Sequence, residues 1–122
     1  MRIYREKDYE KMSQKAAEMI CAQIMMKPDC VLGLATGSTP VRTYEKLVER
    51  YQNKEIDFSE AVSVNLDEYR GISKDNAQSY HYFMRRHLFD HINMKAFYLP
   101  DGMEEDTKKE CRRYEELIAS LG

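Results

Sequence analysis

The sequence predicts an α/β fold, a mostly parallel sheet with helices on both faces in three layers. Three observations carry that reading. Short apolar runs alternate with long amphipathic runs, their order is β-α-β-α-β-α-β-α, and the inner apolar runs end in turn-forming residues.

Arg2 to Tyr4 reads as a short strand. Asp8 is placed to cap a helix running to about Lys27, in which Tyr9, Met12, Ala16, Met19, Ile20 and Ile24 recur at helical spacing. Pro28-Asp29 ends it. Val31-Leu32-Gly33-Leu34-Ala35 is a continuous apolar run, as expected of a strand covered on both faces. Thr36-Gly37-Ser38-Thr39 is the next turn. Pro40 then stands where a helix to about Tyr51 would begin, a position that needs no N–H. Ala61 to Leu66 is the next strand, and Asp67-Glu68-Tyr69-Arg70-Gly71 leaves it. The segment from Gly71 to Gln78 is the longest candidate for a mobile lid. Ser79 is placed to cap a helix through about His91, with Tyr80, Phe83, Met84 and Leu88 packing it. Ala96 to Leu99 reads as a strand and Pro100-Asp101-Gly102 as a turn. Asp106 would cap a last helix bearing Cys111, Tyr114, Ile118 and Leu121 along one face.

A chain of 122 residues suits one domain and can bury a real core. Hydrophobic residues make up 43% and charged residues 33%, which excludes a disordered chain and a membrane protein. No apolar stretch approaches the length a bilayer needs. The first residues mix charge with apolar character, so a secretory signal is not expected. The net charge of −2 is spread along the chain without a basic stripe, which argues against nucleic acid as partner. Cys21, Cys30 and Cys111 form no C-x-x-C pair and are odd in number. Reduced, cytoplasmic thiols packed as small hydrophobes are the expectation.

Two turns lie where open α/β sheets bind ligands, at the carboxyl ends of strands. The first is Thr36-Gly37-Ser38-Thr39 before Pro40. Its N–H groups and hydroxyls would converge at a helix N-terminus and suit a phosphate. The plainer reading is that Ser38 or Thr39 caps the helix. The second turn is Asn65-Leu66-Asp67-Glu68-Tyr69, where a carboxylate in a partly dry pocket can act as a general base. The plainer reading there is a polar turn with Asp67 bonded to its own backbone. His81, His87 and His91 fall on one predicted helix. His87 and His91 share a face, but no third ligand is evident, so solvated or subunit-contact histidines are expected and no metal site.

Together these residues resemble the glucosamine-6-phosphate deaminase/isomerase family. The resemblance rests on Leu32-Gly33-Leu34-Ala35-Thr36-Gly37-Ser38-Thr39-Pro40 and Asn65-Leu66-Asp67-Glu68-Tyr69. Further matches are Ser79-Tyr80, Phe83-Met84, Leu88-Phe89-Asp90-His91-Ile92 and Cys111-Arg112-Arg113-Tyr114-Glu115, in the family's order and spacing. It implies a Rossmann-like sheet and the conversion of glucosamine 6-phosphate and water to fructose 6-phosphate and ammonia, without a redox cofactor. It implies that Thr36, Gly37, Ser38 and Thr39 hold the sugar phosphate, and that Asp67 is the base for enolisation, a task that suits a carboxylate if it is buried. Glu68 and Tyr69 would support the loop.

The resemblance covers roughly half of a family member. Such a protein continues with an Asp-Gly-His-Ile-Ala-Phe-Asn-Glu segment that serves ring opening, and with basic residues that complete the phosphate site. Residues 1–122 therefore read as the N-terminal part of a single truncated domain, catalytically silent alone and prone to join its missing half or form a homo-oligomer. Two other classes compete. A 6-phosphogluconolactonase would usually carry Asp-Glu-Arg where this chain has Asp67-Glu68-Tyr69. A non-catalytic sugar-phosphate sensor of a transcriptional regulator would carry a helix-turn-helix, and none is seen.

Overall fold

The computed structural model describes residues 1–122, every position of the chain. Three parallel strands, β1 (Val31–Leu34), β2 (Val62–Asn65) and β3 (Ala96–Tyr98), lie in the order β1-β2-β3. Four α-helices accompany them: α1 (Tyr9–Met26), α2 (Val41–Gln52), α3 (Tyr80–His87) and α4 (Thr107–Ser120). The α/β class and its parallel sheet are as the sequence predicts.

Helix starts follow the polar caps. Asp8, Ser79 and Asp106 each accept a backbone N–H of their helix's first turn, from Lys11, Tyr82 and Lys109. Pro40 stands one residue before α2, at its cap position rather than as its first residue, with φ −83° and ψ −3°, and no side chain caps that end.

The register Leu32↔Ser63 and Leu34↔Asn65 sets one face of the sheet, because side chains alternate along a strand. Leu32 and Leu34 on that face join one core with Ala17, Cys21 and Ile24 of α1, Tyr44 and Leu47 of α2, and Met84 of α3. Phe97 of β3 packs on this cluster and stacks on Phe89 at 4.2 Å between ring centroids. Helix α4 reaches the sheet through Tyr114, whose hydroxyl donates toward the main-chain oxygens of Asn65 and Tyr98.

Several expectations fail for identifiable reasons. Residues 2–4 form no strand; no sheet edge pairs with them, and Tyr4 instead lies under the Lys15 ammonium, 4.7 Å from its ring centroid. Strand β1 is not covered on both faces: its burial alternates and Val31 is 41% exposed, as befits an edge strand. The buried stripe of α1 runs through Ser13, Ala17, Cys21 and Ile24, so it is rotated from the predicted one and leaves Met19 and Tyr9 exposed. The third helix stops before His91. Leu88, with φ −141° and ψ −63°, breaks it, and Phe89–His91 form a separate 3₁₀ turn. In α4, Cys111 is exposed and Glu110 holds the buried position, accepting the Asp101 N–H at 2.8 Å and pairing with Arg113.

Helices α1 and α2 are also tied by charge. The Glu10 carboxylate takes Arg42 Nε at 2.8 Å and Lys46 Nζ at 2.6 Å. These two partners, Arg42 first, bring the Glu10 pKa down to about 2. A depressed carboxylate stabilises the fold above its unfolded pKa, and that contribution fades as pH falls from about 4.5 to about 2. Glu10→Gln is therefore expected to flatten the acid limb of melting temperature against pH in that window. An unchanged acid limb would show that the pair does not couple to folding.

Candidate active site

Strands β1 and β2 are neighbours and Leu34 pairs with Asn65, so the loops that follow them leave the sheet side by side at its carboxyl edge. A side chain fixes the two exits to each other: the buried Asn65 amide donates to the Leu34 carbonyl oxygen at 2.9 Å. Thr36 and Asp67 each stand two residues beyond this paired position.

The first loop is held open. The N–H groups of Gly37, Ser38 and Thr39 find no acceptor within the chain. Neither Ser38 nor Thr39 caps α2, which sets aside the plainer reading of this turn. Gly37 has φ +97° and empty space where a side chain would stand. Two tyrosines brace the loop from behind. The Tyr9 hydroxyl lies 3.0 Å and 2.9 Å from the Ser38 and Thr39 carbonyl oxygens and accepts the Arg42 N–H at 3.3 Å. The Tyr44 hydroxyl accepts the Ala35 N–H at 3.1 Å and donates to the Ala35 carbonyl, and burial pushes its pKa up to about 12. These unbonded N–H groups lie just before a twelve-residue helix, whose end there is the positive one.

The second loop divides its two carboxylates. Glu68 faces inward and accepts N–H bonds from Tyr69 at 2.9 Å, Tyr80 at 2.8 Å and His81 at 2.9 Å. It thereby closes the N-terminal end of α3 beside the Ser79 cap. Asp67 is exposed and enters no hydrogen bond or ion pair within the chain. The Asx-turn reading is thus not what the loop does. The dry pocket expected around Asp67 is not formed by these residues either, because the side chain faces solvent.

The Tyr69 and Tyr80 rings meet at a tilt across the loop, 4.7 Å between centroids, and the Tyr80 hydroxyl meets that of Tyr69 at 3.3 Å. The bond to Tyr69 raises the Tyr80 pKa, and desolvation and the Asp67 charge push the same way. Sequence reasoning gave Tyr80 and Tyr9 to packing. Their hydroxyl roles depend on partners 11 to 30 residues away and leave no local pattern.

The histidines do not converge. His87 lies against Phe83 at 4.4 Å, His91 Nε2 meets the Arg86 carbonyl oxygen at 2.8 Å, and His81 packs on Phe97. The break at Leu88 takes His87 and His91 off any common helix face. No group of three His, Cys, Asp or Glu side chains is arranged to hold a metal. No helix is long and apolar enough to cross a membrane.

Unbonded N–H groups before α2 and an unpaired carboxylate thus leave the carboxyl edge of a parallel sheet from adjacent strands. Residues 5–122 match the family described as glucosamine-6-phosphate isomerases/6-phosphogluconolactonase, and the chain belongs to it. Among its relatives are the glucosamine-6-phosphate deaminases of Alkaliphilus metalliredigens, 53% identical, and Clostridioides difficile, 52% identical. Each aligns with all of this chain and with 51% and 50% of the relative. A solved monomeric glucosamine-6-phosphate deaminase superposes with TM-score 0.96 at 44% identity, over all of this chain and 52% of that one. A 6-phosphogluconolactonase from Shewanella baltica, 20% identical with TM-score 0.75 over 96% of this chain and 50% of its own, shares the fold. The chain spans about half the length of the relatives it matches.

Proposed function

We propose that the protein carrying this chain is a glucosamine-6-phosphate deaminase, which turns glucosamine 6-phosphate and water into fructose 6-phosphate and ammonia in amino sugar catabolism. The observation that carries this reading is the pairing of two loops, one with unbonded N–H groups at Gly37, Ser38 and Thr39, the other with the free Asp67 carboxylate. Thr36, Gly37, Ser38 and Thr39 hold the phosphate. Asp67 takes the proton from carbon 2 of the opened sugar and returns it at carbon 1, so the enzyme ends the step unchanged. The proton moves within the substrate, and no electron leaves it, so the step calls for no redox cofactor. Glu68 already takes three N–H bonds and serves the loop, with Tyr69, as support. Three free thiols, two of them buried, support a cytoplasmic setting. The free edges of β1 and β3 offer main-chain groups to further chain or to a second copy, which sedimentation of the full-length protein would distinguish.

The test is release of ammonia and fructose 6-phosphate from glucosamine 6-phosphate by the full-length protein containing these residues. Release of neither product would sink the reading. The brace behind the phosphate loop gives a milder check. Tyr9→Phe removes a hydroxyl bonded to the loop, worth about 1 kcal/mol, so sugar-phosphate affinity should fall about fivefold by titration calorimetry. Unchanged affinity would show that the loop holds its shape without Tyr9.

A further inference from the structure

We infer that Gly102, on the turn after β3, is a positioning residue for the Asp67 loop; this rests on the function proposed above. The loop from Leu66 to Ile72 carries Asp67 at its start and must return from the sheet edge to α3. At its near end Glu68 is bonded to the first amides of α3. At its far end the Gly71 N–H donates to the Gly102 carbonyl oxygen at 2.7 Å. Gly71 has φ +73°, so the chain reverses there in a form that favours glycine.

The approach is so close that Gly102 tolerates no side chain. A Cβ at this position would collide with the Tyr69 carbonyl oxygen, and it would stand 3.2 Å from the Ile72 carbonyl oxygen and 3.3 Å from Glu68 Cγ. Two of these atoms are backbone of the loop itself, so any Cβ must displace the loop or the turn. The turn has its own anchors. The buried Glu110 carboxylate of α4 accepts the Asp101 N–H, and the Asp101 carboxylate accepts the Met103 N–H at 2.9 Å. A Cβ carried on this anchored turn would press on the loop's own Tyr69 and Ile72 carbonyl oxygens and strain the Gly71–Gly102 bond between them. Gly102 therefore passes the position of α4 and β3 to a loop whose carboxylate does the chemistry, 35 residues earlier in sequence.

The experiment compares Gly102→Ala with wild type in the full-length protein, with Asp67→Asn as control. Amide hydrogen exchange reads the loop directly, and steady-state kinetics reads its consequence. The Gly71 amide should be protected at least about tenfold against an unstructured peptide in wild type, and should lose that protection in Gly102→Ala. Turnover should fall about 10- to 100-fold with KM within about threefold, because a displaced base loses the chemical step while the phosphate loop still binds. Unchanged Gly71 exchange in the variant, or faster exchange with wild-type turnover, would overturn the inference. If Gly102→Ala does not fold, the wild-type measurement still decides, since an unprotected Gly71 amide would show that the clamp is not closed. Wild-type turnover in Asp67→Asn would instead remove Asp67 from the mechanism, and this inference with it.

Discussion

Asp67→Asn in the full-length protein is expected to keep sugar-phosphate binding and to lose about 100- to 10,000-fold in turnover, the usual loss when a general base is removed. The geometry makes the comparison clean. The Asp67 carboxylate enters no hydrogen bond or ion pair within the chain, so nothing structural depends on its charge. Asn has the same shape, and an exposed polar exchange of this kind changes stability by about 0.5 kcal/mol or less. The 36–39 loop is held independently by Tyr9, Tyr44 and Asn65, none of which is hydrogen-bonded to Asp67. Binding and chemistry should therefore separate: little change in the dissociation constant of a sugar-phosphate inhibitor, and a large fall in kcat. Glu68→Gln makes the contrast. Its carboxylate holds three backbone N–H groups of the loop and α3, so that change should lower melting temperature as well as activity. Turnover of Asp67→Asn within a few-fold of wild type would take Asp67 out of the mechanism.

The parts of this site that follow from neighbouring residues were legible in the sequence. Pro40 after Thr36-Gly37-Ser38-Thr39, and Asp67-Glu68 after an apolar run, are local signals, and both loops leave the sheet where expected. Caps at Asp8, Ser79 and Asp106 are equally local and were each read correctly. What escaped depends on distant partners. Tyr9 looks apolar in a helical pattern, yet its hydroxyl is bonded to carbonyls 29 and 30 residues on. Glu110 looks like a solvated helix residue until Asp101 and Arg113 fold onto it. The stripe of α1 was misread because Ser13 and Ala17 are small: they allow close packing where a hydropathy pattern favours the larger Met12 and Met19. The helix break at Leu88 also lacks a Gly or Pro to announce it. There Leu88 and Phe89 both turn into the core.

Gly37→Val is expected to weaken binding of glucosamine 6-phosphate about 10- to 100-fold and to leave affinity for the unphosphorylated amino sugar nearly unchanged. The argument is one of backbone, not of space. Gly37 sits at φ +97°, a region that a β-branched residue adopts only at a cost of about 1–3 kcal/mol, while the position itself is open and a Cβ would meet no atom within 4 Å. The folded protein can relieve that strain by turning the exposed backbone about Gly37, whose N–H is not bonded within the chain, against the pull of the Tyr9 bonds to Ser38 and Thr39. Turning it changes where the N–H groups of Gly37, Ser38 and Thr39 point, and with it their hold on a phosphate, while the core around Tyr44 and Leu47 stays packed. The affected contacts are those a phosphate would make, so the loss should follow the phosphate rather than the sugar. Gly37→Ala, with the same φ requirement and no β-branch, should fall between wild type and Gly37→Val. Titration calorimetry with the phosphorylated and unphosphorylated sugars reads both arms, and equal losses for the two would show that this loop does not hold the phosphate.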